Sequence, residues 1–295
     1  MVETSVHNTM TESGFVSITR KQLELISEIV KSAAETEIMP RFRNLSDDQI
    51  ETKSDPTDFV TEADKAAEIA ISAGLRALFP DAFVFGEEAV AADPSLLAKL
   101  SDADLSIIID PIDGTGNFVA ERPRFGTIIA VVIKGEVAAG FIYNPNSLTS
   151  HCTIWGEGAW QETADGITAD LAVKTTAPLG QLTGSGGLKF LPKELREQVR
   201  ESLKLIGSYE HAGSCAVRYP ELANGELDFM FFNRLMPWDH AAGWLLHKEA
   251  GGYSHRLDGL PYRPTDFEGP LLLTNNEETW ETLKERVFSV FSSGD

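Results

Sequence analysis

Cysteine is nearly absent. Cys152 and Cys215 are the only two, far apart and without the spacing of a metal knuckle. A disulfide framework and a thiolate zinc site are therefore not expected. Basic residues are scarce as well: 25 Lys and Arg stand against 45 Asp and Glu, a formal net charge of −20. Nucleic acid and anionic membrane both reward Lys and Arg, so neither is expected as a partner. A phosphorylated partner would need local cations to overcome that charge, and bound metal can supply them. No apolar run approaches the roughly 20 residues of a membrane span. Residues 1–13 have no basic start and apolar core, so no secretory signal is expected and the location follows as cytoplasmic. There is no internal repeat and no glycine-rich loop ending in lysine that would mark an ATP-using kinase. The run Gly184-Ser185-Gly186-Gly187 is too short to serve as a nucleotide fingerprint.

What is present is ordinary for a globular chain: 295 residues, 42% hydrophobic and 24% charged. That length can bury a large core and build two subdomains. A loose tail is expected over 1–15. Helical spacing runs over 17–39, with Thr19 and Gln22 as a capping pair and Pro40 as the stop. A strand-like 49–52 and a mobile loop around Lys53 follow. A second helix is expected from Thr61 to about 79, then a short strand over 82–85 and an irregular acidic stretch over 89–104. Residues 127–133 and 136–143 read as a hairpin around Lys134-Gly135. Residues 151–162 read as another strand pair. Composition shifts over 164–178, which predicts subdomains 1–163 and 164–295. The first reads as helices on an antiparallel sheet, the second as alternating strands and helices. In the second, strands are expected at 181–186, 208–212, 227–232 and 271–274, with helices at 191–205, 217–223, 239–250 and 277–291.

The stretch 105–118 organises the rest. Residues 105–109 are mostly branched and apolar, suited to an interior strand. Asp110 sits at its mouth, and Pro111, lacking a ladder donor, is expected to end the sheet there. Asp113 returns a second carboxylate, with the Ile112 carbonyl between the two as a third oxygen. Gly114 lets its amide approach an anion. Thr115 adds a hydroxyl that can cap a helical turn or hold a water. This chemistry suits a hard divalent cation beside a phosphate. Taken singly, each residue is common turn punctuation.

Together, Asp110-Pro111-Ile112-Asp113-Gly114-Thr115 resembles the signature of the inositol monophosphatase family of Mg²⁺-dependent phosphatases. Three further stretches match the same pattern in order: Asp58-Phe59-Val60-Thr61-Glu62-Ala63-Asp64, Gly86-Glu87-Glu88 and Pro237-Trp238-Asp239-His240-Ala241-Ala242-Gly243. Alone, Asp64 would be a first-turn acid, Glu87-Glu88 a solvated loop and Asp239 an N-cap. The resemblance spans roughly residues 53–275. It implies a layered α-β-α-β-α sandwich of mixed α+β and α/β character, with most metal ligands in 1–163. The last metal acid and a substrate loop would lie in 164–295.

Residue by residue, the resemblance implies that Glu87, Asp110 and the Ile112 carbonyl bind a first Mg²⁺. Asp110, Asp113 and Asp239 would bind a second, with two or three ions per site. Thr115, oriented by Asp64, would position the attacking water together with Glu87. The Gly114 and Thr115 amides would hold the phosphate. Asp113 and Ser214 would contact substrate, Ser214 from the loop Gly213-Ser214-Cys215-Ala216, where Cys215 reads as a small packed residue. Lys53 matches a lysine in the family's mobile loop. His240 is expected to orient Asp239.

The family's sugar-contacting glutamate falls on Phe232, which cannot accept those hydrogen bonds. Asn233 and Arg234 follow it. The partner is expected to be a small phosphorylated metabolite, with inositol-1-phosphate leading. Fructose-1,6-bisphosphate, histidinol phosphate and 3′-phosphoadenosine-5′-phosphate are the alternatives. A homodimer and Li⁺ sensitivity are implied as well. The rival class is a non-catalytic metal-binding regulatory protein.

Overall fold

A computed structural model describes residues 9–10, 16–53 and 59–291. Most of the tail expected over 1–15, the 54–58 portion of the Lys53 loop and Asp58 lie outside them. Helix Arg20–Ala33 opens with Thr19 and Gln22 in a reciprocal cap, as their spacing predicts. Helix Glu62–Leu78 opens the same way, with Thr61 and Asp64 as the pair.

Seven strands form the larger sheet, in the order Thr168–Asp170, Gly158–Glu162, Thr149–Ile154, Glu136–Asn144, Gly126–Ile133, Leu105–Asp113 and Phe83–Gly86. All neighbours are antiparallel except the last pair. The hairpin turns at Lys134 and Gly135, both with positive φ. The smaller sheet runs Ser208–His211, Thr183–Gly186, Phe229–Arg234, Glu268–Thr274 and Tyr253–Arg256.

Period-two alternation explains the layering. Ile107, Ile109, Ile129 and Val131 face helices Arg20–Ala33 and Glu62–Leu78. Their neighbours Ile108, Ile128, Ala130 and Val132 face Cys215–Ala223 and Pro237–Glu249. On the smaller sheet Met230, Phe232, Leu271 and Leu273 point to that same central helix pair. Phe229, Phe231 and Leu272 point instead to Lys193–Ser202 and Glu277–Arg286. Both sheets are covered on two faces, which gives the five layers α-β-α-β-α.

Two expectations change. The strand does not stop at Asp110 but runs Leu105–Asp113. Its pairing skips at a bulge, Asp110 opposite Ile128 and Asp113 opposite Gly126. The missing Pro111 donor falls in that bulge, where no ladder bond is needed. The Pro111 carbonyl accepts from Thr127 Oγ1 at 2.8 Å. The stretch over 89–104 is not irregular: it holds helix Glu87–Ala92 and a 3₁₀ run, Pro94–Ser101, capped by Asp93. Strands Tyr253–Arg256 and Thr168–Asp170 have weak sequence signals and are formed by pairing to their neighbours.

Candidate active site

The bulge delivers its acids to a cavity of about 500 Å³ lined also by the end of strand Phe229–Arg234 of the smaller sheet. Glu87, Asp110, Ile112, Asp113, Gly114, Thr115, Ser214 and Asp239 all line it. Every site residue expected from the sequence is therefore brought together except Asp64, which reaches the group from beneath Thr115.

Each acid is held by a different element. Asp113 Oδ2 accepts from Ser214 Oγ at 2.5 Å and from the Ala216 amide at 2.7 Å, so it ties the bulge to the start of helix Cys215–Ala223. Burial raises its pKa to about 6, with those hydrogen bonds opposing the shift. Asp110 is buried, and its Oδ1 has no hydrogen-bond partner among the described residues. Burial, then the charges of Glu87, Asp113 and Asp239, hold its carboxyl well above the ordinary range. Asp239 is raised for the same two reasons.

Asp239 does not cap its helix, contrary to the simplest reading of its position. It is the third residue of Pro237–Glu249, whose N-cap is Met236 with no side-chain cap. Pro237 has no amide to satisfy, and the Asp239 carboxylate lies against the cavity instead. Asp64 does serve as a capping acid, and more. Its Oδ2 accepts from the Thr61 amide and hydroxyl at 2.8 and 2.6 Å, while its Oδ1 lies 3.2 Å from Thr115 Oγ1. Burial lifts it to about 7 against those hydrogen bonds.

Gly114 has φ +89°, and a Cβ there would meet Ser214 Cβ at 2.9 Å and the Arg124 carbonyl at 3.0 Å. Only glycine fits this turn without strain. Lys53 brings a cation to the acidic end, with Nζ at 2.7 Å from Glu87 Oε1 and 2.8 Å from Glu88 Oε1. Burial works against its charge, but the two glutamates keep its pKa above the ordinary lysine value.

His240 does not orient Asp239. Its Nδ1 is 2.9 Å from Tyr219 Oη and its Nε2 3.0 Å from the Arg234 carbonyl. Burial lowers its pKa to about 3, so the ring is neutral and structural.

The residues present fit a hard divalent cation. The donors are carboxylates and one carbonyl, the oxygen set such ions take. A buried carboxylate oxygen left unpartnered, as on Asp110, is costly unless a cation meets it. Cys215 Sγ lies within 4.8 Å of ligand oxygens of Asp113 and Asp239. Burial raises the thiol's pKa well above its usual value, so it stays protonated and is a packed residue.

Sequence reasoning missed Glu68. It is buried and accepts from the Glu88 and Ala89 amides at 2.8 and 2.9 Å, capping the helix that begins with Glu87. Its spacing of four from Asp64 on one helix face was the available signal. Lys189 and Phe190, which also line the cavity, were missed too.

The sequence profile described as the inositol monophosphatase family matches residues 20–292. A Nus factor SuhB of Pasteurella multocida is 31% identical over 210 residues, covering 70% of this chain and 74% of that protein. A fructose-1,6-bisphosphatase/inositol-1-monophosphatase of Thermotoga maritima is 32% identical over 207 residues, with 70% and 74% covered. The solved structure of a Thermotoga maritima IMPase superposes with a TM-score of 0.76 at 26% identity, covering 93% of this chain and 100% of that one.

Proposed function

The chain belongs to the inositol monophosphatase family, and we propose that it is a Mg²⁺-dependent phosphomonoesterase hydrolysing a small phosphorylated polyol or sugar. The observation that carries this reading is the convergence of Glu87, Asp110, Asp113 and Asp239 on one cavity, beside a Thr115 hydroxyl backed by Asp64. Glu87, Asp110 and the Ile112 carbonyl would hold one ion, and Asp110, Asp113 and Asp239 would hold another. When bound, such ions acidify water and offset charge on the phosphoryl and leaving oxygens.

The chain's own residues do the rest. Thr115 Oγ1 holds the attacking water, and Asp64 behind it accepts a proton. A carboxyl near pKa 7 suits that task at neutral pH. The Gly114 and Thr115 amides seat the phosphate at a turn that admits no Cβ. Ser214, through Asp113, keeps this turn locked to helix Cys215–Ala223. Direct attack by water requires no side-chain nucleophile. Phosphoryl transfer asks the protein mainly for positioning and charge. Competition by Li⁺ and assembly as a homodimer belong to the same proposal, on family grounds.

The test is phosphate release with Mg²⁺, with EDTA, and with Asp110→Asn. Mg²⁺-dependent release that EDTA abolishes is expected. Asp110→Asn should lower kcat/KM by at least about a thousandfold, since metal charge is worth several kcal/mol in the transition state. Substantial residual Mg²⁺-dependent turnover in that variant would remove Asp110 from its role.

A further inference from the structure

The cavity lining also carries charge of the opposite sign. Beside the four carboxylates of the proposed metal end, Lys189 and Arg234 line it. In a chain of net charge −20 this is a local reversal of sign. Phe190 stands between the cations, 49% exposed. Arg234 Cζ lies 4.8 Å from its ring centroid and Lys189 Nζ 5.6 Å from it. An exposed ring with cations over it leaves the guanidinium ordered but still able to donate in its plane.

Arg234 is also held in register with the acids. A bulge between Phe232 and Arg234 turns the end of strand Phe229–Arg234. The Arg234 carbonyl is bonded by His240, the neighbour of Asp239, and Tyr219 fixes that imidazole from its other side. One buried ring thus ties the helix that bears Asp239 to the residue that bears the cation. Asn233, between Phe232 and Arg234, is the neutral amide that polyol hydroxyls meet in this part of the lining. Phe190 and Phe232 offer them no hydrogen bond, and both His240 nitrogens are engaged.

We propose that Arg234 and Phe190, with Lys189 beside them, form a subsite for a second phosphate on the substrate, making it a small bisphosphorylated sugar or nucleoside rather than a polyol monophosphate. This rests on the reading that the acidic end takes the scissile phosphate. Guanidinium matches phosphate geometry with paired donors, and the Phe190 face can carry a sugar or base ring between the two phosphates.

The experiment compares the full chain with Arg234→Gln and Arg234→Lys. Substrates are fructose-1,6-bisphosphate, adenosine 3′,5′-bisphosphate, inositol-1-phosphate and glycerol-2-phosphate, each with Mg²⁺. For one bisphosphate, kcat/KM is expected to exceed that of both monophosphates by at least about tenfold. Arg234→Gln should cut that preference by roughly 10- to 100-fold, mainly through KM, the range for one charge-assisted contact. Arg234→Lys should keep part of it. The bisphosphate that leads identifies the sugar or the nucleoside as the source. A preference for inositol-1-phosphate, or a preference that Arg234→Gln leaves intact, overturns the subsite and leaves the phosphatase standing. If no substrate releases phosphate, the phosphatase reading fails, and calorimetric titration of the same four compounds decides the subsite separately. Tighter bisphosphate binding that weakens in Arg234→Gln supports it, and indifference to the substitution overturns it.

Discussion

The Thr115 hydroxyl has one proton and two acceptors in reach, the Ile112 carbonyl at 2.9 Å and Asp64 Oδ1 at 3.2 Å. A water held by this oxygen would have Asp64 directly behind it. Thr115→Val keeps the shape and removes the hydroxyl, so kcat should fall by about 10²- to 10³-fold with KM less affected. Thr115→Ser should retain most of the rate, and equal losses in both would mean the methyl group matters rather than the oxygen. Gly114→Ala meets a positive φ and two close neighbours at once. It should cost about 1–3 kcal/mol in denaturant unfolding, from left-handed strain plus overpacking. These residues were legible in the sequence because their chemistry is local: Asp110, Asp113, Gly114 and Thr115 sit within one turn. Asp239 and His240 were not fully legible. Whether an acid caps a helix or faces a cavity depends on the backbone around Met236 and Pro237, which residue types alone do not settle.

Helix Glu87–Ala92 is too short to be stable by itself. Gly86 at its N-cap has no side chain, and its missing Cβ is what admits the Glu68 carboxylate, which would otherwise lie 2.4 Å away. Glu68 therefore caps this helix from a neighbouring one and sets where Glu87 points. Glu68→Ala should destabilise the chain by about 1–3 kcal/mol, the cost of a lost charged cap and two unmet amides. Mn²⁺ titration followed by electron paramagnetic resonance should show weaker binding in this variant. An unchanged affinity with the same loss of stability would make the cap purely structural. The element-level pattern was otherwise well encoded. Both capping boxes, the Lys134-Gly135 turn and the alternating sheet faces follow from residue order. The short helix was hidden because its cap lies twenty residues away, on a different element.

Buried titrating groups bear on the stability of the whole molecule from two sides. Asp64 and Glu68 are raised to about 7, and Asp113 to about 6, mainly by burial. Without metal, their contribution to stability is greatest below about pH 4, their unfolded range, and is lost as pH rises through those folded values. His151, His240 and His247 are lowered by burial to about 4, 3 and 4. Their contribution is present above about pH 6.5 and is lost as pH falls toward those values. Of the raised acids, Asp113 stands among the proposed cation ligands together with Asp110 and Asp239, which are raised as well, and a divalent cation binds them ionised. Mg²⁺ should raise Tm clearly more at pH 8 than at pH 5, and calorimetric scans with Mg²⁺ and with EDTA would check this. Equal shifts at the two pH values would mean that the stabilising ion does not sit on these acids. The sequence alone determined which residue types could hold a cation and phosphate and where most of the strands and helices fall, since each depends on residue type and period along the chain. Only the tertiary structure decided that Glu68 caps the Glu87 helix, that Pro111 lies in a bulge, and that Arg234 lies over the Phe190 ring. Those contacts join residues on separate elements, and their distances come from how the layers pack.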